Sequence, residues 1–275
     1  MAAKCIICFQ NNKGGVGKST ATVNTAHALA LQGYRVLVVD VDFQCNATSL
    51  CIPSGTEIDK SLYHVLFKGA PLEEVIVPSR YENVMVLPNE EAVGSLEHRI
   101  LLSNLGVGAE GESLPKEQRF LELRDILRPF LQKSNFNFIL IDTPPNQGTF
   151  VILALNASDF VIVPVDADST FSIKGLKNSI ATIKYLRETT NPDLQLLKLL
   201  VNKVDKRTTL GKMSTDRLKE VFGNENVFDQ VIPVSTLFQK AEAQSKSILS
   251  YDKKCHGSKA YLQIATQIIQ QIDQH

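Results

Sequence analysis

The densest chemistry in the chain lies near its start, in the run Asn11-Asn12-Lys13-Gly14-Gly15-Val16-Gly17-Lys18-Ser19-Thr20. Glycines without a Cβ let successive backbone N–H groups turn inward around anionic oxygens, and a helix opening at Ser19 would aim its positive end at the same point. Lys18 could then reach the β- and γ-phosphates of a nucleotide, and the Ser19 hydroxyl could ligate Mg²⁺. The general phosphate-loop pattern asks for Gly where this chain has Asn12, and a second lysine, Lys13, stands beside it. Three carboxylates end or follow apolar runs, Asp40, Asp42 and Asp142, and so fall where strand ends present side chains. Further on, Asn202-Lys203-Val204-Asp205 matches the Asn-Lys-x-Asp element with which many GTPases read guanine.

These residues need elements to hold them. Apolar runs that read as strands are 4–9, 35–40, 84–87, 136–142, 160–165, 194–201 and 227–232. Val36-Leu37-Val38-Val39 and Phe138-Ile139-Leu140-Ile141 are apolar at every position, the pattern of strands buried on both faces of a parallel sheet. Between them fall amphipathic segments at 19–32, 116–132, 148–156, 172–188, 208–222 and 258–272, which read as helices. The alternation predicts an α/β fold, a doubly wound, mostly parallel sheet flanked by helices with right-handed crossovers. Residues 103–115, rich in Gly, Glu and Ser, read as an exposed loop. No linker divides the chain, so residues 1–275 are expected to form one domain.

The chain's 29 Lys and Arg against 29 Asp and Glu, with 44% hydrophobic residues, excludes disordered and fibrous classes. No run reaches the roughly 18 apolar residues of a spanning helix, and the first ten residues lack a secretory pattern, so a cytoplasmic protein is expected. The zero net charge is unevenly spread. Residues 1–170 hold 13 basic and 19 acidic side chains, a balance of −6, and residues 171–275 hold 16 and 10, a balance of +6. The last third is thus the candidate surface for a polyanion. Cys5, Cys8, Cys45, Cys51 and Cys255 read as reduced structural thiols, and His27, His64, His98, His256 and His275 are too scattered to form a metal motif.

Lys13-Gly14-Gly15-Val16-Gly17-Lys18-Ser19-Thr20 resembles the deviant Walker A motif of the ParA/MinD family of P-loop ATPases. The segment 39–49 is similar to that family's switch I, with Asp42 and Asn46 kept and Phe43 and Cys45 replacing the usual Pro and Gly. Residues 138–145, ending Asp142-Thr143-Pro144-Pro145, resemble its Walker B and switch II. The resemblance implies a cradle for ATP made by residues 13–20, that is Lys13, Gly14, Gly15, Val16, Gly17, Lys18, Ser19 and Thr20. It implies that Lys13 reaches across a dimer interface to the partner's nucleotide. It also gives Asp42 the role of orienting the attacking water, and implies that Ser19, Asp42 and Asp142 surround Mg²⁺. The Asn that corresponds to Asn202 contacts adenine in such proteins, with Pro233 nearby. Lys13, generally absent from GTPases of this superclass, favours ATP over GTP.

Within the family, several branches are excluded by missing features. No Cys lies between Cys51 and Cys255 to bridge an iron–sulfur cluster, and no Cys-x-x-Cys stands near the C-terminus. The last helix carries Tyr261, Leu262, Ile264, Ile268, Ile269 and Ile272 but no Lys or Arg after Lys259, so it is expected to pack in the core and not on a membrane. What remains is similar to the short ParA/Soj type. That resemblance implies an ATP-bound homodimer that binds DNA without sequence preference, associates with the nucleoid in that state, and is stimulated by a ParB-like or other adaptor while positioning a plasmid, chromosome or protein cargo. Lys206, Arg207, Lys212, Arg217, Lys219, Lys240 and Lys246 are the DNA-binding candidates, although the family's two arginines after the Ile-Pro step are absent from Ile232-Pro233-Val234-Ser235-Thr236-Leu237. The alternatives are a GTP-dependent maturation or metallochaperone NTPase, favoured by Asn202–Asp205, and a regulator that binds proteins without DNA.

Overall fold

The computed structural model describes residues 4–93, 122–167, 172–205 and 208–274. The seven strands found among them are β1 (Cys5–Phe9), β2 (Val36–Asp40), β3 (Val77–Pro78), β4 (Val84–Leu87), β5 (Phe138–Asp142), β6 (Phe160–Asp166) and β7 (Gln195–Asn202). They form one sheet in the order β3-β4-β2-β5-β1-β6-β7, parallel throughout except for the β3–β4 pair. Every residue of β1, β2 and β5 is buried. Successive side chains point to opposite faces, so Ile6, Cys8, Leu37, Val39, Ile139 and Ile141 enter one core while Cys5, Ile7, Phe9, Val36, Val38 and Leu140 enter the other. That burial on both faces is why the runs contain no polar alternation. The five cysteines are free thiols.

Helices cover both faces. On one side lie α1 (Lys18–Leu31), α8 (Thr236–Ala243), α9 (Ile248–Tyr251) and α10 (His256–Ile272); on the other lie α4 (Glu122–Lys133), α5 (Thr149–Ala157) and α6 (Ser172–Thr189). Short α2 (Asn46–Cys51) and α3 (Leu62–Lys68) follow β2, and α7 (Thr209–Phe222) follows β7. Tyr261, Ile264, Ile268 and Ile272 of α10 are buried against the core, as the apolar stripe implies. After β1 the chain moves to β2 on one side, and after β5 it crosses to β6 on the other. The loop after β1 therefore sits at the switch point of the sheet, where open α/β folds bind ligands.

The strands differ from expectation in two places, and the short helices α2, α3, α8 and α9 were not expected. Residues 227–232 do not join the sheet as a strand: Val227 makes one bridge to Leu199, Phe228 N–H donates to Leu199 O at 3.0 Å and Ile232 N–H to Val201 O at 2.9 Å. Val227, Phe228 and Ile232 are buried, which produces the apolar signal, but the backbone bends at Asp229 and breaks the ladder. The edge strand β3 was invisible because two residues carry no periodicity. The expected loop at 103–115 and the first residues of the expected helix at 116–132 lie outside the described residues.

A buried polar cluster ties the segment after β2 to the C-terminal helices. The Tyr81 hydroxyl donates to Leu50 O at 2.8 Å and accepts from Ser247 N–H at 2.7 Å, while its ring stacks on His27 with centroids 4.3 Å apart. His27 Nδ1 lies 2.7 Å from Ser247 Oγ. Tyr81→Phe would leave two buried backbone groups without a partner, so it should cost about 1–3 kcal/mol. In thermal unfolding this should lower the melting temperature by about 2–10 °C. An unchanged melting temperature would show that the hydroxyl is not structural.

Candidate functional site

The loop between β1 and α1 folds as its glycines require. Gly15 and Gly17 take φ of +73° and +85°, a left-handed conformation that a side chain resists. A Cβ on Gly17 would also stand 3.0 Å from Asn202 Nδ2. The loop is braced from outside: Asn11 Nδ2 donates to Pro164 O at 2.7 Å, and Lys13 N–H donates to Asn11 Oδ1 at 3.0 Å. From β7, Asn202 Nδ2 donates to Val16 O at 2.7 Å and Lys203 Nζ to Gly15 O at 2.7 Å. Polar side chains at the ends of β1 and β7, with a backbone carbonyl of β6, thus fix the curvature of a single loop.

Lys18 is buried, with Nζ 3.4 Å from Lys13 O, and burial lowers its pKa against the opposing pull of Asp142 and Asp42. Asp142, at the end of β5, is fully buried; burial raises its carboxyl pKa, Asp40 adds to the rise, and a hydrogen bond from Ser19 works against it. Its Oδ1 lies 3.4 Å from Thr22 Oγ1, whereas its Oδ2 has no hydrogen-bond partner. Asp40 accepts from Thr48 N–H at 2.8 Å, Thr48 Oγ1 at 2.7 Å and Asp42 N–H at 3.0 Å. Burial nevertheless pushes the Asp40 carboxyl up to about 7. Asp42 is buried but borders the cavity, and its Oδ1 accepts from Gln44 N–H at 3.0 Å. Two carboxylates, Asp142 and Asp42, therefore act on one buried ammonium. An orphaned carboxylate oxygen on Asp142 beside the Ser19 hydroxyl suits a divalent cation, and Asp42 borders the cavity above them.

A cavity of about 670 Å³ opens over this arrangement. Gly15, Val16, Gly17, Lys18, Ser19, Thr20, Asp42, Asn202 and Pro233 line it, so nine of the expected site residues meet in one place. Gly14 and Lys13 are not among its lining residues: Gly14 faces Pro145, which does line it, and Lys13 is exposed with Nζ 3.7 Å from Asp166 Oδ2. Thr20 uses its hydroxyl on Glu242 Oε1 at 2.6 Å. Sequence reasoning missed Phe238, Gln239 and Glu242, which also line the cavity, because α8 spans only eight residues and was not recognised as a helix. It also missed the brace role of Lys203, which its match to the Asn-Lys-x-Asp element could have suggested.

Of the basic candidates, Arg217 on α7 and Lys240 on α8 are exposed, and Lys219 and Lys246 are half-buried. Lys206 and Arg207 lie outside the described residues, as does the side chain of Lys212. Among the described residues no helix is long and apolar enough to cross a membrane.

A family model described as an AAA domain matches residues 4–196. The sporulation initiation inhibitor protein Soj of Bacillus subtilis is 33% identical over 96% of this chain and 97% of its own length. The chromosome partitioning protein ParA of Caulobacter vibrioides is 31% identical over 96% and 93%. The chain belongs to the ParA/MinD family of P-loop ATPases. A solved structure of cobyrinic acid a,c-diamide synthase from Mycobacterium smegmatis with bound ADP and magnesium superposes with a TM-score of 0.77 at 25% identity, over 97% of this chain and 94% of that one. For a ParA/MinD-family ATPase, the cavity at the switch point, lined by Lys18 and the phosphate loop, is the expected place for nucleotide.

Proposed function

We propose that this chain, a relative of partition ATPases, is an ATP-driven switch that dimerises around bound nucleotide and binds DNA in that state. The observation that carries this reading is Lys13, whose side chain is 42% exposed beside a phosphate cradle whose other lysine, Lys18, is buried. A cation free to leave its own loop can neutralise charge developing on a partner's phosphoryl group, which makes hydrolysis conditional on dimerisation. Lys18 and the loop N–H groups hold the phosphates in place. Mg²⁺, held by Ser19, Asp142 and Asp42, would supply further neutralisation of phosphate charge. Asp42, at the cavity wall, would orient the attacking water. The Asn202 amide supports adenine as the base: its nitrogen is committed to Val16 O, and its buried Oδ1 has no hydrogen-bond partner. That oxygen can accept a hydrogen bond from the 6-amino group of adenine, whereas guanine presents at position 6 a carbonyl oxygen, itself an acceptor. ATP is accordingly the nucleotide in this reading, and the whole chain works as one unit.

DNA binding draws on the basic last third, with an adaptor of the ParB class as the partner that stimulates turnover and sets the cargo. A dimer doubles the cations in one surface. If about three basic residues per subunit contact phosphates, log K for DNA should fall with log salt at a slope of about −5 for the ATP state and about half that for the monomer. Little dependence on sequence is expected, because phosphate contacts carry none. DNA retention measured with ATP, ADP and no nucleotide checks this directly. Arg207→Glu with Arg217→Glu should weaken the ATP-state affinity and spare the dimer. Full retention by that double variant would leave the basic third as a solvated surface and favour a regulator that binds proteins alone.

A further inference from the structure

Glu242 is the sole carboxylate of α8, and it stands in an unexpected place. Its Oε1 accepts from Thr20 Oγ1 at 2.6 Å, one residue beyond Ser19, and it lines the same cavity as the phosphate loop. Among the described residues no Lys, Arg or His nitrogen pairs with it within 4.0 Å. Its charge reaches Tyr261, another lining residue, where it adds to burial in raising the hydroxyl pKa.

Glu242 is exposed, and a carboxylate with no cationic side chain beside it repels phosphate oxygens, so its favourable contact with a nucleotide is with a hydrogen-bond donor. Between its phosphates and its base a nucleotide offers one kind of donor, the hydroxyls of ribose. The placement agrees. The cavity wall runs from Pro233 and Val234, beside Asn202 where the base is expected, through Phe238 and Gln239 to Glu242 on Thr20, at the first turn of the phosphate-binding helix. Phe238, Gln239 and Glu242 share one face of α8, at spacings i, i+1 and i+4.

We propose that Glu242 is the sugar-reading residue of this site, its carboxylate accepting hydrogen bonds from the ribose 2′- and 3′-hydroxyls and so selecting ribonucleotides over deoxyribonucleotides. The inference rests on the nucleotide site proposed above. Donation to a carboxylate is among the stronger neutral-donor hydrogen bonds, and discrimination arises because a sugar without hydroxyls offers this carboxylate no donor.

Calorimetric titration with ADP and with 2′,3′-dideoxy-ADP, each with Mg²⁺, tests it. The native chain should bind ADP about 10-fold more tightly than the dideoxy form, equivalent to about 1.4 kcal/mol. Glu242→Gln, which keeps an acceptor for Thr20 but loses the charge, should reduce the ratio to about 3. Glu242→Ala, a substitution favourable to helix, should bring it to about 1. A native ratio near unity, or a native-like ratio in Glu242→Ala, would overturn the inference while leaving the nucleotide site standing. Failure of the native chain to bind ADP at all would instead overturn the nucleotide reading and this inference with it.

Discussion

Lys13→Ala should lower ATP turnover about 10³-fold while leaving ADP affinity close to native. The first half follows from the value of a cation supplied at the transferred phosphoryl group, which in related chemistry is worth 10³–10⁵ in rate. The second half follows from geometry: Lys18, not Lys13, is the buried lysine that lines the cavity, and Lys13 stands exposed beside Asp166. Its contact with Asp166, at 3.7 Å and with the lysine side chain 42% exposed, is of the kind that contributes at most about 1 kcal/mol, so its loss should not disturb the fold. Lys18→Ala should behave differently, losing nucleotide affinity first. Steady-state turnover together with calorimetric ADP titration separates the two. Native turnover per chain in Lys13→Ala at every protein concentration would remove the lysine from the mechanism.

Asp42→Ala should bind ATP, dimerise and remain on DNA, but hydrolyse ATP at least about 10²-fold more slowly, the usual contribution of a carboxylate that positions a reacting proton or water. The structure distinguishes it from its neighbour. Asp40 is occupied by three hydrogen bonds from Thr48 and Asp42 and acts as a brace for the segment entering α2. Asp42 accepts one, from Gln44 N–H, and faces the cavity. Single-turnover hydrolysis and DNA retention of the same variant give the answer. If Asp42→Ala failed to bind nucleotide in a titration, it would be a binding residue and the hydrolytic role would pass to another group.

Much of the site was legible because its chemistry is local in sequence. The loop Lys13–Thr20 states its glycines, its ammonium and its hydroxyl in consecutive residues, and Asp142 ends a run so apolar that only a buried strand explains it. The central strands were readable for the same reason, since burial on both faces leaves a continuous signal. The wall of the cavity was not. Phe238, Gln239 and Glu242 belong to a helix of two turns that packs against α9 and, through Phe238 on Tyr261, against α10, and short helices carry little periodicity of their own. Residues 227–232 were misread for a related reason: apolar content reports burial, whereas the bend at Asp229 that denies the ladder is a local backbone event. Cys45 holds φ of +53° at the start of α2, where the resemblance leads one to expect glycine. That departure was visible in the sequence, but the left-handed backbone it must adopt was not.

The central claim is that one chain's lysine completes the other chain's site, and mixing two inactive variants tests it most directly. In a dimer of Lys13→Ala with Asp42→Ala, the nucleotide held by the Lys13→Ala chain keeps its own Asp42 and receives Lys13 from the partner, so one of the two sites is whole. In an equimolar mixture half of the dimers are mixed, and ATP turnover should recover to about one quarter of native, far above either variant alone. A mixture no more active than its components would contradict the account, because a lysine acting within its own chain leaves both sites of the mixed dimer incomplete.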